Sequence, residues 1–502
     1  MKMKFPRSAH NWITLIGVTI ALIALSMIVF LFVISSVLNE GHVYLGLILY
    51  VALPAVMIFG LLLIPLGMYL QKKREKREGQ SDGTEWPRID FNIDRHRNAF
   101  FVFTVGTSIL LFLSAIGSYE AFHFSESVTF CGQVCHNVMH PEFTAYQHSS
   151  HARVACVECH VGSGAGWYVR SKLSGAYQVY SVLAEAYSRP IETPISNLRP
   201  ARETCQTCHW PEKFYSRKLR EESYYLGDED NTRWDIQMVM KIGGRTHADG
   251  LTEGIHWHIN PNVKIEYVAA DAARQELPWV RYTNLKTGEV TVYTDQESDL
   301  EEAELAAMEV RKMDCIDCHN RPSHDYKAPA KFINNALTSG AIPLELPEIK
   351  AVLSELCDAE YPSSDSAMAA IERGIREYYE GDYEEIVEEH PELIEKAIKG
   401  MQAAFSENIF PEMRVKWSEY PNNIGHMEFN GCFRCHNDGH ESEDGKVISK
   451  DCNLCHTISA QGNPEDLMVA TLQNPLDFQH PDGDDEDWKE GLCTDCHTGL
   501  NP

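Results

Sequence analysis

Positive charge is what this chain lacks. Its 502 residues hold 44 Lys+Arg against 72 Asp+Glu, a formal net charge of −28. The shortage is uneven: residues 1–119 hold 11 Lys+Arg and 7 Asp+Glu, so the remainder carries −32. Such a surface argues against nucleic acid as a partner and against docking on anionic lipid. It suits either simple solubility or the steering of a basic partner. Spare cysteine is also missing. Of 15 cysteines, 14 fall into seven short motifs and only Cys357 is left over, so a disulfide framework is excluded as their purpose. Cys357 sits in a helical-looking stretch and reads as a small buried hydrophobe. No repeat is long enough to suggest a solenoid.

The seven motifs dominate what is present. Six read Cys-x-x-Cys-His: Cys156, Cys159 and His160; Cys205, Cys208 and His209; Cys315, Cys318 and His319; Cys432, Cys435 and His436; Cys452, Cys455 and His456; Cys493, Cys496 and His497. The first in the chain, Cys131-Gly-Gln-Val-Cys135-His136, has one extra residue between its cysteines. The pattern attaches c-type haem, because two thiols bond the porphyrin vinyls while the adjacent His reaches the iron. Zinc sites also pair cysteines, but they do not require His directly after the second Cys each time. Seven covalently bound c-type haems are therefore expected.

Three apolar runs precede the motifs, at about 11–38, 43–70 and 99–119, each long enough to cross a bilayer. Pro54 and Pro65 interrupt the second, which a membrane helix tolerates. The first run is too long for a signal peptide and no small-residue cleavage site follows it. Lys2, Lys4 and Arg7 precede the first run, and Lys72, Lys73, Arg74, Lys76 and Arg77 follow the second; the link between them carries neither Lys nor Arg. The positive-inside rule then puts the N-terminus and the 71–97 loop in the cytoplasm and residue 120 onward in the periplasm.

The expected fold is a multihaem cytochrome c whose mainly α/irregular periplasmic domain packs around haems, with a small β insert and three N-terminal transmembrane helices. Residues 1–119 form the membrane domain, 120–330 a tetrahaem domain, 331–425 a helical insert, and 426–502 a C-terminal trihaem module. The β insert, about 234–294, shows short β-favouring runs at Ile236–Ile242, Gly254–Ile259, Val263–Ala269, Trp279–Tyr282 and Glu289–Tyr293, punctuated by Gly, Pro and Asn. The helical insert carries an acidic run, Ile371–Glu389, and an amphipathic one, Leu393–Phe405.

Each motif histidine (His136, His160, His209, His319, His436, His456, His497) is the proximal ligand. The other side of the iron decides the work: a second strong ligand makes an electron carrier, an open position permits substrate chemistry. Beyond residue 119 there are twelve further histidines, at 123, 140, 148, 151, 247, 256, 258, 324, 390, 426, 440 and 480. That supply favours a wire over a catalyst. His390, in an acidic helical stretch, reads as a surface residue. His256 and His258 alternate on an expected strand and share a face; one is a candidate distal ligand, the alternative being hydrogen bonding within the sheet. His426, His440 and His480 flank the last three motifs and are candidates there. Met139, three residues after His136, is either a thioether ligand or a core methionine.

From the third apolar run to the fourth motif, the chain resembles the NapC/NirT family of membrane-anchored quinol dehydrogenases. The match rests on an apolar helix leading into Phe130-Cys131 and Cys135-His136, then His151-Ala-Arg-Val-Ala-Cys156-Val-Glu-Cys159-His160-Val. It continues through Glu203-Thr-Cys205-Gln-Thr-Cys208-His209-Trp210-Pro211 to Asp314-Cys315-Ile-Asp-Cys318-His319 and His324. The resemblance covers about residues 98–330. It implies electrons taken from menaquinol or ubiquinol and passed to periplasmic partners, c-type cytochromes or a reductase. It also implies that His151 is the distal ligand of haem four, that His324 caps haem two, and that the quinol site lies beside haem one and includes Lys172. The family's first motif is Cys-x-x-Cys-His-x-Met; here the linker is one residue longer and Met139 one place later. With seven motifs and three apolar runs, the whole chain is most similar to inner-membrane cytochromes of metal-reducing bacteria.

A quinol gives up two electrons and two protons, so its site needs a hydrogen-bonding group and a proton exit. Glu120, His123 and Glu126, with Lys172, are the polar candidates near the membrane. Menaquinol is the expected substrate. Two competing readings are a multihaem terminal reductase of a small oxyanion and a haem-bearing membrane anchor for a separate reductase.

Overall fold

The computed structural model describes residues 11–38, 52–77, 90–134, 136–162, 165–195, 199–211, 214, 216–243, 254–481, 486–489, 491–497 and 499–500. The chain divides into two compact units, Met1–Met139 and His140–Pro502.

The first unit holds three helices long and apolar enough to cross a membrane: α1 (Trp12–Leu38), α2 (Leu53–Arg77) and α3 (Asp94–Ser125). Asn11 caps α1, its Oδ1 accepting from the Thr14 N–H at 2.8 Å. α1 and α2 meet through small residues. A Cβ on Gly17 would stand 2.6 Å from the Gly60 carbonyl oxygen, and one on Gly67 would stand 2.6 Å from Thr14 Oγ1. Ala21 and Ala24 complete this seam against Met57. Apolar lipid offers no solvent-driven reason for helices to associate, so close backbone approach through glycine is what holds such a pair.

The second and third helices overrun the apolar limits read from sequence. α2 continues through Lys72–Arg77, a basic end that complements the negative pole of its dipole. α3 begins at Asp94 and runs on to Ser125, because no breaker lies at either apolar edge. The expected start of the second run, 43–51, lies outside the described residues.

The second unit begins its longer elements with α4 (Ala165–Leu183) and then builds two antiparallel sheets. In the first, β1 (Arg217–Tyr225) and β2 (Arg233–Lys241) are joined by β8 (His456–Gly462) and β9 (Met468–Val469). In the second, the order is β6 (Arg311–Lys312), β3 (Val263–Val268), β4 (Trp279–Asn284), β5 (Val290–Asp295), β7 (His440–Ser442). The β insert is thus not self-contained. Its exposed edges are paired by strands that follow the fifth and sixth motifs, with Asp235 opposite Gly462 and Asp295 opposite His440. Strand edges need partners, and β7 and β8 supply them.

Four longer helices, with the short helix Glu384–Glu389 between the last two, form the remaining module: α5 (Pro329–Thr338), α6 (Ile349–Asp358), α7 (Ser364–Asp382) and α8 (Pro391–Asn408). On α7, Ala367, Ile371, Ile375 and Tyr379 recur every four residues and are fully buried. They pack with Ile394, Ile398, Met401 and Phe405 of α8 into the largest side-chain core of the chain, and Cys357 lies against it. The acidic residues of α7 face outward.

Replacing Gly17 by Leu must push α1 from α2. The expected loss is about 1–3 kcal/mol, read by thermal unfolding in detergent. Gly106→Leu on α3, where an added Cβ meets nothing within 4 Å, is the control and leaves stability unchanged.

Candidate haem-binding sites

Five of the six fully described motifs sit on single helical turns, and in the third Cys205 ends the short helix Ala201–Cys205. Cys156–His160, Cys315–Cys318 and Cys493–Cys496 are short helices, and Gly431–Arg434 and Cys452–Leu454 are 3₁₀ turns. A turn of this kind puts two cysteines three apart on one side of the backbone, where a single macrocycle edge can meet both.

Six motif histidines face a second imidazole. Ring centres stand 6.2 Å apart for His160 and His324, 5.9 Å for His209 and His151, and 6.2 Å for His319 and His256. They stand 5.9 Å apart for His436 and His258, 6.2 Å for His456 and His426, and 5.9 Å for His497 and His480. Two metal–imidazole bonds of about 2 Å, plus about 1.1 Å from each nitrogen to its ring centre, give about 6 Å. The gap matches an iron ligated on both sides.

Ring orientation agrees with that use. Nδ1 of His151 donates to the Pro322 carbonyl (2.9 Å), His324 to Glu142 (3.0 Å), His256 to Ile242 (3.1 Å), His258 to Ile255 (2.8 Å) and His436 to Ser449 (2.9 Å). A backbone acceptor on Nδ1 fixes the tautomer that leaves Nε2 free for a metal. Burial pushes His324 and His456 down to about 4, and holds His160, His256, His258, His319, His426 and His436 below the ordinary imidazole range. Neutral imidazole is the ligating form. A cavity of about 890 Å³ is lined by Cys452, His456 and His480 together with Trp234 and Phe478, within the range of cofactor sites, about 300–1,000 Å³. Haem fits these residues.

Several sequence expectations change here. His151 stands against His209 of the third motif, not the fourth; its hydrogen bond to Pro322 sets it there. His256 and His258 are not on a strand. They lie on a 3₁₀ turn, Ile255–Ile259, that follows Gly254 at φ +106°. Trp257 stacks on Tyr282, and the two histidines face different motifs, the fourth and fifth. His440 is no ligand candidate: it is fully buried in β7, its Nε2 donates to the Leu277 carbonyl (2.7 Å), and Nδ1 lies 2.9 Å from Asn437 Oδ1. With both nitrogens engaged, none is left for iron. His390 is exposed beside Glu392, and His247 lies outside the described residues.

At the first motif, Cys131 is half-buried on the short helix Val128–Gln133, capped by Ser127, and Cys135 lies outside the described residues. His136 and Met139 share a helix one turn apart. Glu120, His123 and Glu126 occupy the last turns and the cap of α3, with the His123 ring 4.3 Å from Tyr119. Lys172 belongs to α4 in the other unit, its Nζ 5.1 Å from the Tyr168 ring centre.

Two residues inside motifs went unnoticed in the sequence. Asp317, between the cysteines of the fourth motif, accepts from Tyr267 Oη (2.8 Å), Arg311 Nε (2.8 Å) and the Asp314 N–H (2.7 Å). Arg434, inside the fifth, donates to the carbonyls of Asp317 (2.9 Å), Arg274 (2.6 Å) and Gly431 (2.7 Å). A charged residue between haem cysteines in a buried setting was the available signal.

The attachment sites neighbour one another in chain order. Cys159 neighbours Cys205 and Cys208, and the Cys205 thiol neighbours that of Cys315. Cys318 neighbours Cys432, and Cys455 neighbours the same Cys432. His426 Nδ1, whose ring faces the sixth motif, lies 3.4 Å from Cys493 Sγ of the seventh.

His426→Ala is expected to turn one low-spin centre high-spin in the electron paramagnetic resonance spectrum of the oxidised protein. His440→Ala is expected to leave every low-spin signal in place and cost about 1–3 kcal/mol of stability.

Comparison with known proteins agrees with this site. No protein-family profile and no solved structure matches the chain. It is 42% identical over 490 residues to the cytochrome c-type protein ImcH of Geobacter sulfurreducens, covering 97% of this chain and 95% of that protein. It is also 29% identical over 117 residues to the cytochrome c-type protein NrfH of Wolinella succinogenes, covering 21% of this chain and 66% of that one. With haem-attachment motifs, imidazole pairs and three apolar helices in one chain, this protein belongs to the ImcH family of NapC/NirT-like multihaem cytochromes c, electron-transport proteins of the inner membrane with covalently attached haem.

Proposed function

We propose that the protein is a quinol dehydrogenase that oxidises menaquinol at the membrane and passes the electrons along seven c-type haems to periplasmic c-type cytochromes or a reductase. The observation that carries this reading is the pairing of six motif histidines with a second imidazole at 5.9–6.2 Å. Two strong axial ligands close an iron to substrate, which supports conduction and disfavours a terminal reductase. Bound haem supplies one-electron redox steps; the chain's task is to fix where those steps occur. The assigned distal ligands are His324, His151, His256, His258, His426 and His480 for the second to seventh motifs in that order, and Met139 is the candidate at the first.

The quinol end follows from α3. It carries Glu120, His123 and Glu126 through its last turns, and the first motif begins at Cys131, shortly after its cap. Oxidation of the quinol releases two protons as two electrons leave in turn. These side chains are suited to accept a hydroxyl proton and hand it to water on the periplasmic side, and Lys172 to orient a quinol oxygen. Basic residues flanking α1 and α2 support a cytoplasmic N-terminus and a periplasmic haem unit. Adjacency of motifs two to seven supports an exit at Cys493–His497.

Purified protein in liposomes with a menaquinol analogue is expected to show reduction of its haem α-bands, and Glu120→Gln together with Lys172→Met to slow it tenfold or more, on the order of the lower general-acid/base contributions, with the oxidised spectrum unchanged. Absence of any haem reduction by the quinol overturns the proposal. Carbon monoxide is expected to leave most reduced centres unaltered; binding at many of them would favour a reductase.

A further inference from the structure

The acidic balance of the chain predicts little affinity for anionic lipid, and one element departs from that balance. α4 contains no Asp or Glu in its 19 residues, only Arg170 and Lys172. Its burial is also inverted. Val169, Leu173, Tyr177, Tyr180 and Leu183, spaced by three and four, are exposed at 57%, 68%, 66%, 61% and 82%. Ser171, Ser174, Gly175 and Ser181 on the opposite side are turned at least partly inward. A helix facing water would place these sets the other way round.

The cations are placed where a membrane surface would use them. Arg170 and Lys172 fall on either edge of the apolar stripe. The Arg170 guanidinium stands 5.4 Å from the Trp167 ring centre and Lys172 Nζ 5.1 Å from that of Tyr168. Long basic side chains beside aromatic rings at the border of an apolar face are the composition of the headgroup layer, where the stem lies in hydrocarbon and the charge reaches water. α4 is too polar to cross: the three helices that qualify as spans are α1, α2 and α3. A helix with an apolar stripe, a basic border and no acid lies in the interface.

We infer that α4 is an interfacial helix, seated along the bilayer surface with Val169, Leu173, Tyr177, Tyr180 and Leu183 in the acyl boundary and Arg170 at the phosphates. The occupant of this face is phospholipid, and a protein partner is the alternative that the experiment excludes. Charge complementarity selects lipid: in a chain of net charge −28, this helix carries two cations and no carboxylate of its own, as an anionic headgroup layer favours. The chain's own spans keep such a layer at hand. The haem-bearing unit is thereby held to the bilayer by a second contact besides its covalent tether. This inference stands apart from the quinol reading, since it needs no reaction.

The test uses the full chain in nanodiscs of phosphatidylethanolamine and phosphatidylglycerol, with a nitroxide placed in turn at Leu173→Cys, Tyr180→Cys and, as a water-facing control, Val290→Cys, a strand position exposed at 54%. Parent protein without the added cysteine gives the background. Relaxation by oxygen relative to a water-soluble nickel chelate is expected to be severalfold higher at 173 and 180 than at 290. Equal ratios at all three positions overturn the inference. Protection of 173 and 180 from both reagents overturns it too, and identifies a protein contact instead. The pair Leu173→Asp and Tyr180→Asp, read by a label at Leu183→Cys, is expected to restore nickel access while haem content stays unchanged.

Discussion

An iron bound by two imidazoles holds their ring centres about 6 Å apart, and the haem-bearing unit is arranged around that distance. Several pairs join segments far apart in the chain: His151 with His209, His160 with His324, His258 with His436. With haem bound, axial bonds would therefore tie these distant segments together, in addition to apolar packing. Ordinary side-chain packing concentrates elsewhere, in the α5–α8 module, whose core of Ile333, Ile371, Ile398 and Phe405 has no motif within it. Rigid elements keep the imidazoles at their spacing. The 3₁₀ turn carrying His256 and His258 is tied to the end of β2 through the Ile242 carbonyl, which accepts from both the backbone N–H and Nδ1 of His256.

The same logic explains why the last three motifs are not a detachable module. Asp317 and Arg434 lie between the cysteines of the fourth and fifth motifs, and the Arg434 guanidinium reaches the Asp317 carbonyl. The Asp317 carboxylate is held by Arg311, Arg274 and Tyr267. A charge this deeply buried is tolerable only when hydrogen-bonded on all sides, so the junction is fixed in register. β7 and β8 then extend the sheets on either side of it. The result is that the fourth and fifth attachment sites are joined across what reads in the sequence as a domain boundary near residue 426.

What the sequence alone reveals follows the range of the interactions. Cysteine spacing encodes covalent attachment within five or six residues, so all seven motifs were visible. Bilayer crossing needs only a contiguous apolar run, so the three helices were visible too, apart from ends that extend beyond the apolar edge. Axial partnerships were not, because no local pattern tells His151 to meet His209. The alternation in Ile255-His-Trp-His-Ile fits a strand and a 3₁₀ turn equally, and Gly254 at φ +106° decides between them. His440 flanks a motif as closely as any candidate, yet the carbonyl of Leu277 takes its ring. β1 reads Arg-Lys-Leu-Arg-Glu-Glu-Ser-Tyr-Tyr, a charged edge strand that pairs along its length with β2 and buries only Tyr225 in the helical core, and nothing in its own composition announces it.

Counting histidines therefore overstates how a wire is recognised; the accounting has to be made ring by ring. Of the described histidines beyond the motifs in the second unit, six face a motif imidazole. The other four have other contacts: His440 in its sheet, His390 beside Glu392, His148 beside Glu407, and His140 against Phe410. The six matched sites form the run from the second to the seventh motif, alike in ligand type and differing mainly in the angle between ring planes, from 12° to 81°. The first motif differs in its linker and in the methionine one helical turn from its histidine. Similar ligands along the run favour a shallow gradient over which electrons move in small steps, and a thioether at the first site would raise its potential. On the proposed quinol reading, the departure from uniformity falls at the end that would accept single electrons from a two-electron donor, which is where tuning has the most effect on direction.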